Sequence, residues 1–128
     1  MIAADTNIIV RLLTNDDPRQ TARARALFEA DTIFLPKTVL LEAEWVLRRL
    51  YGLDRLPIAK ALDALISLPN VRCEDEPAVR QALDWKRGGL DFADAMHLAS
   101  SRIASSFATF DRRMIKRAPK TGPAVSEP

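Results

Sequence analysis

The sequence predicts an α/β sandwich built on a parallel sheet. Three observations predict it. Short β-rich runs alternate with longer stretches of helical periodicity along the chain. An acid closes the first and the last of these runs, at Asp5 and Asp111, and ligands of parallel α/β sheets bind outside the carboxyl ends of strands. The 128 residues show no internal repeat or linker. They fit a single domain, 1–128, that buries roughly two thirds of its unfolded surface.

Met1 to Ala4 is short and apolar and reads as a buried strand ending at Asp5. From Thr6, apolar residues at Ile8, Ile9, Leu12 and Leu13 fall on one helix face. Asp16-Asp17-Pro18 signals a new helix, an acidic cap followed by Pro in the first turn, running to Phe28 or Ala30. Thr32 to Leu35 is a strand stopped by Pro36. Thr38 to Tyr51 has helical periodicity with Gly52 as a stop.

A helix follows over Pro57 to Leu68, ended by Pro69-Asn70, and Val71 to Cys73 is a third strand. Asp75, with Pro77 just inside, starts a helix to Arg87, closed by Gly88-Gly89. Asp91 to Ala104 is helical, and Phe107 to Phe110 is a fourth strand. A brief basic helix comes next. The tail, 117–128, is Pro-rich and weakly specified.

With 19 Lys and Arg against 17 Asp and Glu, the net charge is +2. That excludes an acidic tail protein and a strongly basic chromatin-type protein. It does not by itself indicate nucleic acid. Five basic residues and no acid lie between Arg112 and Lys120, however. One cysteine, Cys73, forbids an intrachain disulfide. No uncharged run approaches the ~18 to 20 residues of a membrane helix, and Asp5 interrupts any signal-peptide core. The expected location is cytoplasmic, with no membrane partner.

Most acids need no special role. Asp16, Asp54 and Asp75 read as helix caps, and Glu29, Asp63, Asp84 and Glu127 as solvated charges. Asp5 and Asp111 stand at strand ends, where a helix cap explains them as well as a ligand site does. Glu42 is flanked by apolar residues on both sides, where an ionised Glu costs several kcal/mol unless compensated. Glu44, two positions on, is expected to point to solvent. Asp91 and Asp94 share one side of a helix start, with Asp91 the better cap.

Brought together, Asp5, Glu42, Asp94 and Asp111 would repel one another unless a divalent cation neutralised them. Oxygen-only ligation suits Mg²⁺ or Mn²⁺. A single Cys and a single His leave no zinc alternative. Carboxylate-held Mg²⁺ is the apparatus of phosphodiester hydrolysis, in which water is activated and phosphate charge is offset.

These residues resemble a PIN-domain ribonuclease of the VapC toxin type. Asp5-Thr6-Asn7 resembles the family's opening motif. Thr38-Val-Leu-Leu-Glu42, with Trp45-Val-Leu47, resembles its Glu-bearing helix. Asp91-Phe-Ala-Asp94-Ala-Met-His97 resembles its third acidic motif, and Thr109-Phe-Asp111-Arg-Arg its fourth. Each motif alone is weak, but all of them occur in order from Asp5 to Asp111.

The resemblance implies a three-layer α/β/α sandwich on a five-stranded parallel sheet. It makes Asp5, Glu42, Asp94 and Asp111 the catalytic metal ligands, with Thr6 orienting the site. Asp91 is a further ligand or a cap. The implied cofactor is Mg²⁺, with Mn²⁺ as substitute. The implied partners are an RNA substrate, often tRNA, a small VapB-type antitoxin, and a second copy in a homodimer. DNA is met only through the antitoxin. Arg112, Arg113 and Lys116 would contact the RNA backbone; a solvated helix face explains them equally.

His97 reads as a packing residue or one that supports the acids from behind rather than a base, Cys73 as core, and Trp45 and Trp85 as core or dimer-interface aromatics. Tyr51 carries no signal of its own. Two competing readings are a receiver-like signalling module and a degenerate PIN domain kept only for binding. The first needs a phosphate-accepting Asp at the end of a central strand, and Asp54 follows a helix instead.

Overall fold

A computed structural model describes all residues, 1–128. The elements run β1 (Ile2–Ala3), α1 (Thr6–Thr14), α2 (Pro18–Ala30), β2 (Ile33–Leu35), α3 (Lys37–Arg49) and α4 (Arg55–Ile66). Then come β3 (Val71–Cys73), α5 (Glu76–Arg87), α6 (Phe92–Ala99), β4 (Ser106–Ala108), α7 (Arg112–Arg117) and β5 (Ala124–Ser126). The alternation expected of an α/β chain is present. The contacts divide the chain into two units, Met1–Glu76 and Pro77–Pro128.

In the first unit three strands pair in parallel in the order β1-β2-β3. Ile2 is opposite Ile33, and Ile33 is opposite Val71. The central strand β2 is buried at Ile33 and Leu35, as its β-rich composition requires. The two residues of β1 are instead exposed, contrary to the buried strand expected. As an end strand of its sheet, β1 has a pairing neighbour on only one side.

α1 packs on α2 and α3, and α4 packs on α3 and β3. The core of this unit includes Ile9, Phe28, Leu40, Leu47, Ile58 and Leu62, each fully or almost fully buried. Each such side chain contributes about 1.5–3 kcal/mol by leaving water.

The helix starts follow capping chemistry. Asp17, not Asp16, caps α2: its side chain accepts from Gln20 N–H at 3.1 Å, and Pro18 fills the first turn. Asn15 ends α1 in the left-handed conformation, with φ 54°. The first N–H of α3 is satisfied from outside the helix. Lys37 N–H donates to the Glu74 carboxylate at 2.9 Å, and Lys37 Nζ pairs with Asp75 at 3.0 Å. The end of β3 thereby fixes the start of α3. Asp54 stands at the cap position of α4 but makes no side-chain capping bond.

In the second unit β4 and β5 pair in parallel, with Phe107 opposite Val125. β5 lies within the weakly specified tail. Gly122 lies just before it, at φ +98°, and a Cβ there would meet the Trp85 ring at 3.1 Å. α6 ends at Ala99 rather than Ala104, and β4 ends at Ala108 rather than Phe110. Phe92, Met96, Leu98 and Met114 are buried, and α7 packs on β5. Lys86 is also buried, which its place in a charged helix end did not predict. The parallel strands thus form groups of three and two, one in each unit.

Candidate active site

In the first unit, Asp5, Thr6 and Glu42 come together. Asp5 follows β1 and caps α1, its Oδ1 accepting from Thr6 N–H at 2.8 Å. Thr6 is buried and its hydroxyl donates to Glu42 Oε1. The cap and the ligand readings of Asp5 are therefore compatible, because the cap occupies one oxygen and leaves the other.

Glu42 and Glu44 exchange the places expected of them. The buried stripe of α3 is Leu40, Ala43, Glu44 and Leu47, at offsets of three, four and seven. Glu44 is 3% exposed and bonds Arg48 Nε at 3.0 Å, one helical turn on. Glu42 lies off that stripe, is exposed, and meets Thr6. Apolar neighbours along the sequence did not mean an apolar face.

A groove of about 320 Å³ runs from Asp5, Thr6 and Glu42 past Val46 and Leu50 to Arg11 and Tyr51. Arg11 Nη1 donates to Tyr51 Oη at 3.0 Å and to Asp16 Oδ1 at 3.0 Å. Tyr51 Oη donates to Asp16 Oδ2 at 2.6 Å. The Tyr51 hydroxyl, then the Thr14 hydroxyl and the Arg11 charge, hold the Asp16 carboxyl below the usual range. The Arg11 guanidinium is correspondingly raised, first by Tyr51 and then by Asp16 and Asp17. This network was missed in the sequence. Tyr51 lies 35 positions from Asp16, and no local pattern joins them.

In the second unit, Asp94 is the focus. It occupies the first turn of α6 and its N–H donates to Asp91 Oδ2 at 3.2 Å, so Asp91 is the cap. Burial pushes the Asp94 carboxyl up, and the charges of Asp91 and then Asp111 push it further. His97 is exposed, so it does not pack in the core, but its charge opposes the shift at Asp94, as a residue supporting the site would. Asp111 caps α7, with Oδ1 accepting from Arg113 N–H at 3.0 Å and Met114 N–H at 3.1 Å. Arg112, Arg113 and Lys116 are all exposed on α7.

In neither unit do three His, Cys, Asp or Glu side chains gather closely enough to hold a metal ion. The donor chemistry nevertheless fits a hard divalent cation. Every donor is a carboxylate oxygen, and Asp94 is driven toward its proton first by burial and then by the anions of Asp91 and Asp111. Trp45 is half exposed rather than core. Cys73 is only partly buried. The first unit's central strand ends at Leu35-Pro36, so no acid stands where a receiver-like module needs one. No helix is long and apolar enough to cross a membrane.

No curated protein matches the sequence. The PIN domain family does match it, over residues 2–120, a span that includes Asp5, Glu42, Asp91, Asp94 and Asp111. The chain therefore belongs to the PIN domain family, whose members are generally nucleases.

Proposed function

We propose that the chain is an Mg²⁺-dependent endoribonuclease, with Mn²⁺ as a substitute, and that it is the toxin of a toxin–antitoxin pair. What carries the proposal is Asp94. Its carboxyl favours the proton because of burial and of Asp91 and Asp111 beside it. Such a shift, in a member of a nuclease family, supports a functional site at Asp94. Asp5, Glu42, Asp94 and Asp111 would hold the cation, with Asp91 a further ligand or the α6 cap alone. Bound there, the cation supplies water activation and offsets charge on the scissile phosphate.

The chain's own residues do the positioning. Thr6 orients the Glu42 carboxylate. The capping bonds fix the rotamers of Asp5 and Asp111. Arg112, Arg113 and Lys116 would neutralise RNA phosphates, and each such contact steepens the salt dependence of binding. The partners we infer are an RNA substrate, tRNA among them, a small VapB-type antitoxin, and a second copy of the chain. DNA is reached through the antitoxin, and the compartment is the cytoplasm.

The test is cleavage of RNA by the purified chain in Mg²⁺ or Mn²⁺. EDTA and Asp94→Asn should each abolish it, and activity that survives both overturns the mechanism. Expression alone should arrest growth, relieved by a small adjacent open reading frame. Harmless expression overturns the toxin role while leaving the nuclease standing.

A further inference from the structure

Building on the ribonuclease reading, we propose that Phe110 is a stacking platform for a base of single-stranded RNA next to the cut phosphodiester. The two phenylalanines around β4 have different fates. Phe107 is half-buried opposite Val125, whereas Phe110 is 75% exposed. A lone exposed apolar side chain has no significance by itself. This one is set apart by what holds it and what surrounds it.

The backbone is tied on both sides of Phe110. Thr109 N–H donates to the Ser126 carbonyl at 3.0 Å, anchoring the chain to β5. Asp111 N–H donates to Thr109 Oγ1 at 3.0 Å, closing a bend around Phe110. Asp111 is itself locked as the α7 cap. With the backbone held, stacking a base would restrict only the two side-chain torsions of the exposed ring.

The surroundings are those of a nucleic-acid surface. The Phe110 Cα is ~3.8 Å from that of Asp111, a proposed metal ligand. Arg112, Arg113 and Lys116 follow at once, all exposed. Arg112 and Lys116 are four apart and share a face of α7. Sites for single-stranded nucleic acid combine cations along the backbone with aromatic faces for the bases. Stacking tolerates every base, so Phe110 supplies affinity for unpaired RNA rather than choice of sequence.

The experiment compares wild type with Phe110→Ala, Phe110→Leu and Phe110→Trp. Binding of a short fluorescein-labelled single-stranded RNA of randomised sequence is followed by anisotropy in EDTA. KM and kcat are measured in Mg²⁺, and melting curves confirm that each variant folds. Phe110→Ala should raise Kd and KM by roughly 5- to 150-fold, the range given by base stacking on an aromatic ring, with kcat little changed. Phe110→Trp should restore both, and Phe110→Leu should not. Duplex RNA should bind all four proteins alike.

Unchanged binding by Phe110→Ala overturns the platform, as does full restoration by Phe110→Leu. So does a loss of self-association in Phe110→Ala with RNA binding intact, which would make the ring a protein contact. Phe110-dependent RNA binding without cleavage in Mg²⁺ or Mn²⁺ upholds the platform and overturns the ribonuclease reading. Cleavage unaffected by Phe110→Ala does the reverse.

Discussion

The hydroxyl of Thr6, at the first position of α1, donates its hydrogen bond to Glu42 in α3, 36 positions away in the sequence. Thr6 is buried and Glu42 is exposed, so a fixed group holds a solvent-facing carboxylate. Thr6→Val keeps the shape and deletes the donor. It should cost about 1.5 kcal/mol of stability, the usual contribution of a bond to a charged group. RNA cleavage should fall by roughly tenfold or more as the Glu42 carboxylate loses its orientation. Urea denaturation and single-turnover kinetics measure the two effects.

Glu42 and Glu44 should give opposite results. Glu44 is buried with the partly exposed Arg48 beside it, so Glu44→Ala should destabilise the protein by about 1.5 kcal/mol as the charge-assisted bond is lost. The folded fraction of that variant should still cut RNA. Glu42→Gln should leave the melting temperature within a few degrees and abolish cleavage. Parallel melting and activity assays settle the assignment, and the reverse outcome would exchange the roles of the two residues.

Asp94 should make the protein less stable at neutral pH. Its carboxyl holds a proton more tightly in the folded chain than in the unfolded one. The folded state is thus favoured in acid and loses that advantage as pH rises through the raised value. Asp94→Asn should melt slightly higher than wild type at neutral pH, solvent screening keeping the difference small. The gap should narrow as the pH is lowered, because wild type becomes protonated. Addition of Mg²⁺ should raise the wild-type melting temperature and leave that of Asp94→Asn nearly unchanged.

Asp16 should titrate in the opposite sense. Its carboxyl is held low, chiefly by the Tyr51 hydroxyl. The stability that this provides is present above the ordinary carboxylate range and disappears as pH falls through the lowered value. Tyr51→Phe should move the Asp16 titration upward, as followed by NMR. Its melting curve should merge with that of wild type in acid.

Gly122→Ala should lower the melting temperature by several degrees. The residue is at φ +98°, where a side chain is strained, and the new Cβ would press on Trp85 at 3.1 Å. A change in Trp85 fluorescence should accompany it.

The sequence showed most where local chemistry decides structure. Asp17-Pro18 started a helix where the motif said one should start, and α1 forms as expected, although of its apolar set only Ile9 is buried, alongside Thr6 and Val10. It showed least where phase or distance decides. Apolar flanks pointed to Glu42 as the buried acid, but the spacing of Leu40, Ala43 and Leu47 puts Glu44 on the core face. Ala124–Ser126 has weak strand propensity and becomes β5 only because β4 offers it a ladder. Tyr51 gains its role from a partner in another helix.

The aspartates at helix starts have a genetic consequence. Asp5, Asp91 and Asp111 each give one side-chain oxygen to backbone N–H groups. Asparagine caps a helix about as well as aspartate. Asp codons become Asn codons by a single G-to-A transition. On the proposed toxin role, a selection for survivors of expression should therefore enrich full-length, soluble proteins carrying Asn at Asp5 and Asp111. Truncations and core lesions would be accompanied by a distinct class of escape alleles, silent in folding and lost only in charge.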